Sequence, residues 1–209
     1  MKTKIKICGI TTKEDVRLLN EAKVDYAGFV LFYEKSKRNL TIEQAAKLKA
    51  ELEATIQTVA VVVSPKKEQI LEIQQAGFDY IQIHGTLSKI DFDAISIPII
   101  RAFNAGALER FEEIRDCSKV KLLLFDAKEP GSGETFDWNL VLSLDKKDKP
   151  FFLAGGITKE NVQKAIETVE PYGVDVSSLS VFINDSDTYC PPNSPYNLFS
   201  ISHHPYKFF

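Results

Sequence analysis

The chain has 209 residues, 44% of them hydrophobic, enough to bury a full core as one large domain or two small ones. Its formal net charge of -3 gives no basic footprint for nucleic acid, so a small-molecule substrate is favoured. No apolar run approaches the roughly 18 residues of a membrane span, and the opening Met1 to Lys6 holds no signal-peptide core, so a soluble, cytoplasmic protein is expected. Cys8, Cys117 and Cys190 lie too far apart for a zinc or iron–sulfur spacing, and an odd number of thiols fits a reducing compartment.

Short β-branched or aromatic runs alternate with helical segments along the chain. A strand over Lys4 to Cys8 is followed by Thr12 with Asp15, a capping pair, and by the apolar stripe Val16, Leu19 and Ala22. A strand over Tyr26 to Leu31 precedes Thr41 with Gln44, a second helix start. The strand Gln57 to Val63 runs into Ser64 and Pro65, which predict a helix with proline at its first position. Strands follow over Tyr80 to Ile83, Pro98 to Ala102, Lys121 to Phe125 and Phe151 to Ala154. Thr158 before Lys159 and Glu160 predicts the start of a helix carrying Val162, Ala165, Ile166 and Val169, and Gly173 to Val176 is the eighth strand.

Eight strands separated by helices predict parallel pairing through crossovers. No glycine-rich dinucleotide fingerprint follows the first strand, so the expected α/β architecture is a (β/α)8 barrel rather than an open doubly wound sheet. The barrel domain is expected over residues 1–178. Gly9 to Val16 and Gly156 to Val162 echo one another, which a glycine turn followed by a threonine cap explains without duplication.

A barrel of this type builds its site from residues that follow the strands. Those are Cys8, Gln82 with His84, Arg101, Asp126, Gly155 with Gly156, and Ser177 with Ser178. A single cysteine there is usually a small buried hydrophobe, and a single aspartate usually a cap or turn former. Together, a thiol and a carboxyl supply a base and an acid for proton transfer between carbon and oxygen. Glycine N–H groups after the seventh strand and hydroxyls after the eighth suit a phosphate. The combination describes an isomerase acting on a sugar phosphate.

Lys6-Ile7-Cys8-Gly9-Ile10, Ser36-Lys37-Arg38, Gln82-Ile83-His84-Gly85, Asp126, Gly131 to Trp138, Leu153 to Ile157 and Gly173 to Ser178 resemble, in order, the phosphoribosylanthranilate isomerase family over about residues 4–178. The resemblance implies an Amadori rearrangement of N-(5-phosphoribosyl)anthranilate, with no cofactor and no metal, in a monomer or homodimer. It implies Asp126 as general acid at the ribose ring oxygen, Cys8 as general base at C2, Arg38 at the anthranilate carboxylate, and Gly155, Gly156, Ser177 and Ser178 at the phosphate. A free thiol titrates near ~8.5, so Cys8 needs nearby positive charge or helix N-terminal N–H groups. His84, beside Gly85, reads as a packed, hydrogen-bonded residue. Gly131 to Gly133 read as a mobile loop over the site, anchored by Phe136, Asp137 and Trp138. A related isomerase using two carboxylates is disfavoured because Cys8 stands where the first carboxylate would be.

After Ser178 the pattern changes. Residues 179–209 carry charge only at Asp185, Asp187 and Lys207, are rich in aromatics, and hold Pro191, Pro192 and Pro195, which forbid a continuous helix through their middle. A shifted reading frame accounts for the abruptness better than a lineage-specific end or an interaction segment does. With the last helix missing or replaced, several kcal/mol of burial and part of the phosphate site are lost. The expectation is family chemistry with impaired phosphate affinity and stability; the alternative is an inactive remnant.

Overall fold

Each apolar run becomes a strand because it is covered on both faces, by the barrel interior and by helices outside. The computed structural model describes residues 2–105, 108, 111–127 and 135–177. Its strands are β1 (Lys4–Cys8), β2 (Tyr26–Leu31), β3 (Asn39–Leu40), β4 (Gln57–Val63), β5 (Tyr80–His84), β6 (Ile99–Asn104), β7 (Val120–Asp126), β8 (Phe151–Leu153) and β9 (Gly173–Val176). The helices are α1 (Lys13–Ala22), α2 (Ile42–Lys49), α3 (Lys67–Gln75), α4 (Lys89–Asp93), α5 (Phe111–Arg115), α6 (Asn139–Leu142) and α7 (Val162–Val169). The strands run in the order β1-β9-β8-β7-β6-β5-β4-β2, and pairing of β1 with β2 closes eight of them into a parallel barrel. This is the (β/α)8 architecture expected from the sequence. The expectations for Ser178, the 179–209 segment with its missing helix, Cys190 and the Gly131–Gly133 loop concern positions outside the described residues.

Alternation along the strands divides the core in two. Ile5, Ile7, Ala27, Phe29, Ile81, Ile83, Leu123 and Phe125 face the helices, where they meet Val16 and Leu19 of α1 and Ala165, Ile166 and Val169 of α7. Tyr26, Val59, Val61, Ile100, Ala102, Leu122, Leu124, Phe152 and Ala154 fill the interior. Tyr26 packs edge-on against Tyr80 and Phe152, at ring distances of 5.8 and 5.1 Å, and its hydroxyl lies 3.0 Å from that of Tyr172. These rings floor the barrel near the strand N-termini and leave the opposite mouth to polar side chains.

Three local readings need correction. The two-residue β3 pairs with β2 outside the ring and was too short to register as an apolar run. The third helix starts at Lys67, because Ser64 adopts a left-handed conformation (φ 47°) and its Oγ accepts the Thr86 N–H at 3.0 Å. The last described helix starts after Asn161 rather than Thr158: Asn161 Oδ1 accepts the Thr158 N–H and its Nδ2 donates to the Gly156 carbonyl, both at 2.8 Å, making a stapled turn of the intervening residues. The Thr12–Asp15 and Thr41–Gln44 capping boxes are present as expected.

Candidate active site

With Ile5 and Ile7 facing outward, the period of two turns Lys6 and Cys8 into the barrel. Lys6 is fully buried, and its ammonium donates to Asp175 Oδ1 on β9 at 2.9 Å. Cys8 lies one inward position nearer the mouth and is partly exposed, within the field of the Lys6 charge. Gly28 of β2, paired with Cys8, makes this possible: a Cβ there would stand 3.2 Å from the Cys8 Cα, the Cys8 Sγ and the Lys6 Nζ alike. The absent side chain leaves one space that thiol and ammonium both border.

Burial pushes the Cys8 thiol up; Lys6 pulls it down, Asp175 pushes it up again and Arg38 pulls it down, leaving the protonated thiol favoured. Asp126, at the end of β7, is raised to about 6, chiefly by burial and less by Asp175, against the N–H of Ala127 (2.8 Å from Oδ1) and the charge of Lys6. His84, at the end of β5, is lowered to about 4 by burial, then by Lys6 and Arg101, and its Nε2 lies 2.8 Å from Gln82 Nε2. It is the packed, hydrogen-bonded residue expected, neutral at physiological pH. Thiol, carboxyl and imidazole all feel one ammonium.

Arg38 is exposed and arches over the turn after Cys8: a Cβ on Gly9 (φ 87°) would stand 2.3 Å from Arg38 Cδ. The pairing of Asn39 with Val30 through β3, and the bond from the Tyr33 N–H to Asn39 Oδ1 (2.7 Å), fix the approach of this segment. Gly155 (φ 78°) lies against the residue after Asp126, where a Cβ would come within 2.5 Å of the Ala127 nitrogen. The N–H groups of Gly155 and Gly156 find no acceptor among the described residues. Ser177 is exposed just past β9. The Arg101 guanidinium donates to the carbonyls of Ile83 and Gly85, and its charge acts on His84.

The model of the N-(5'-phosphoribosyl)anthranilate isomerase family matches residues 5–181. The chain belongs to that family. It is 42% identical over 177 residues to the N-(5'-phosphoribosyl)anthranilate isomerase of Streptococcus mutans, covering 84% of this chain and 88% of that protein. A Streptococcus pneumoniae relative of the same name is 41% identical, with 84% and 85% covered. The solved phosphoribosyl anthranilate isomerase of Thermus thermophilus is similar with a TM-score of 0.75 and 30% identity, over 86% of this chain and 89% of that one. Another solved isomerase, holding reduced 1-(o-carboxyphenylamino)-1-deoxyribulose 5-phosphate, gives a TM-score of 0.71 and 33% identity, over 84% and 87%.

Membership in the isomerase family leaves Lys6, Asp175 and Gly28 as the residues that sequence reasoning passed over. Lys6 and Asp175 lie inside the motifs that carried the resemblance, but a lysine and an aspartate in short strands give no sign of pairing with each other. The alternation of Lys6 with Ile5 and Ile7 was the available signal, since it sets a charge on the barrel face. Among the described residues, no helix is long and apolar enough to cross a membrane.

Proposed function

We propose that this protein catalyses the Amadori rearrangement of N-(5'-phosphoribosyl)anthranilate to 1-(2-carboxyphenylamino)-1-deoxyribulose 5-phosphate. The observation that carries the reading is the electrostatic cluster at the barrel mouth, in which a buried carboxyl held near 6 faces the same ammonium as a thiol. Asp126 holds its proton up to about 6, above the usual carboxylate range, which suits a general acid. Its proton goes to the ribose ring oxygen, the C1–O bond breaks, and the nitrogen lone pair forms a C1=N iminium. That iminium is an electron sink: Cys8, as thiolate, takes the C2 proton, and the C2–H electron pair forms the C1–C2 double bond of an enol-amine. Tautomerisation to the C2 ketone completes the reaction with no net change in oxidation level.

Arg38, exposed at the rim beside Cys8, presents a planar fork to the anthranilate carboxylate. Gly155, Gly156, Ser177 and Ser178 form the phosphate end; the donors of Gly155 and Gly156 and the exposed Ser177 support this. Residues 1–178 make up the catalytic domain, acting in the cytoplasm as a monomer or homodimer on a small phosphorylated substrate.

The test is the fluorescence decay of fresh phosphoribosylanthranilate after adding the full chain, beside Cys8→Ser and Asp126→Asn. Decay faster than spontaneous hydrolysis, abolished by either substitution, is expected. Decay at the spontaneous rate with monodisperse wild-type protein would overturn the proposal.

A further inference from the structure

A thiolate at Cys8 needs positive charge or free N–H donors, and the backbone supplies none close by. The N–H groups of Gly9 and Ile10 donate to the Gly28 carbonyl at 2.8 and 3.1 Å, and those of Thr11 and Thr12 to Asp15 Oδ2, both at 2.9 Å. Helix α1 starts only at Lys13. Two cations remain, Arg38 and Lys6. Arg38 is exposed, where water and salt screen it; Lys6 is fully buried, where a charge acts at full strength. Lys6 is also the only buried lysine among the described residues, and such burial is costly without a purpose or a partner.

We infer that Lys6 is the positioning residue for the proton transfer: its ammonium, fixed by Asp175, is the counter-charge that stabilises the thiolate when Cys8 gives up its proton. The inference rests on the reading of Cys8 as the base. Gly28 leaves a space that ammonium and sulfur both border, each 3.2 Å from where its Cβ would stand, and the Asp175 carboxylate, 2.9 Å from Nζ on the neighbouring strand, anchors the lysine there. Asp175 has two opposed effects. It anchors the ammonium, and its own negative charge works against a second anion at Cys8. The charged and titratable groups facing this centre are Lys6 and Cys8 from β1, Asp175 from β9, Asp126 from β7, His84 from β5, Arg101 from β6, which acts on His84, and Arg38 from the segment before β3.

The opposed effects give a test that a merely structural role would fail. In the full chain carrying Cys117→Ser and Cys190→Ser, the rate of Cys8 alkylation by iodoacetamide is followed against pH, for wild type, Lys6→Met and Asp175→Asn. Lys6→Met moves the midpoint up by about one pH unit or more, slowing alkylation about tenfold near pH 7.5. Asp175→Asn moves it down. The basic group in the pH profile of isomerase kcat/KM moves the same way in each variant. An unchanged midpoint in folded Lys6→Met, or a shift of both variants in one direction, overturns the inference. Should Lys6→Met not fold, a midpoint that fails to drop in Asp175→Asn does so alone. Midpoints that move as stated in a chain without isomerase activity would sink only the proposed function. Isomerase activity lost in Cys8→Ser, with midpoints that stay put, would sink only the inference.

Discussion

The Asp175 carboxylate and the Lys6 ammonium, 169 positions apart in the chain, meet at 2.9 Å across β9 and β1, strands whose pairing helps to close the ring. The two residues meet only when β1 and β9 pair, so this ion pair forms with that seam of the barrel.

That pairing has an asymmetric energetic signature. Removing one partner leaves an uncompensated buried charge, at a cost of about 3–5 kcal/mol, whereas replacing both with apolar residues of similar volume is close to neutral. Denaturant titration should therefore find Asp175→Leu strongly destabilised, and Lys6→Met/Asp175→Leu much nearer to wild type while lacking activity. A double variant as unstable as the sum of its singles would contradict this.

Asp126 and His84 set opposed pH dependences in one window. The unfolded chain releases the Asp126 proton near its ordinary 3.8 whereas the folded protein holds it to about 6, so this group costs stability as pH rises between those values. The folded protein resists protonating His84 until about 4 whereas the unfolded chain accepts a proton near 6.5, so this group costs stability as pH falls. Each is worth about 3 kcal/mol, and the two largely cancel. Asp126→Asn should raise Tm by several degrees at about pH 7.5 and expose a steep loss on acidification to about pH 4. His84→Gln should show the reverse, a Tm that rises on mild acidification. Thermal melts across that range decide it.

Gly28→Ala puts a methyl 3.2 Å from three atoms, one of them the Cys8 Cα, which cannot swing aside as a side-chain tip would. Overpacking of this kind costs about 1–3 kcal/mol. Turnover should fall further than stability does, because the displaced atoms are the sulfur and its ammonium. Equal kcat for Gly28→Ala and wild type in the fluorescence assay would count against the placement of both.

At the rim, Arg38→Ala should raise KM about 10- to 100-fold, the loss of a charge-assisted contact of roughly 1.5–3 kcal/mol, with Tm nearly unchanged because the side chain is exposed. Lysine at this position should not restore KM, since a point charge does not replace a planar fork. Steady-state kinetics and a melt on the two variants suffice.

Strands such as Gln57–Val63 were legible as apolar runs because parallel strands are covered on both faces, and the thiol and carboxyl stood out as polar residues at strand ends. What escaped was tertiary. Ser64 reads as a cap until Thr86, from another loop, takes its hydroxyl. Gly28 reads as a weak point in a strand until Cys8 and Lys6 arrive beside it. Arg101 reads only as a polar residue at a strand end until the carbonyls of Ile83 and Gly85 receive its guanidinium. In each case the deciding partner is distant in sequence, and local pattern carries no trace of it.

The aromatic floor built by Tyr26, Tyr80, Phe152 and Tyr172 makes the barrel a cup rather than a tube. The base of the barrel is spent on packing, so the end where the strands finish is the side left for a ligand to enter and leave.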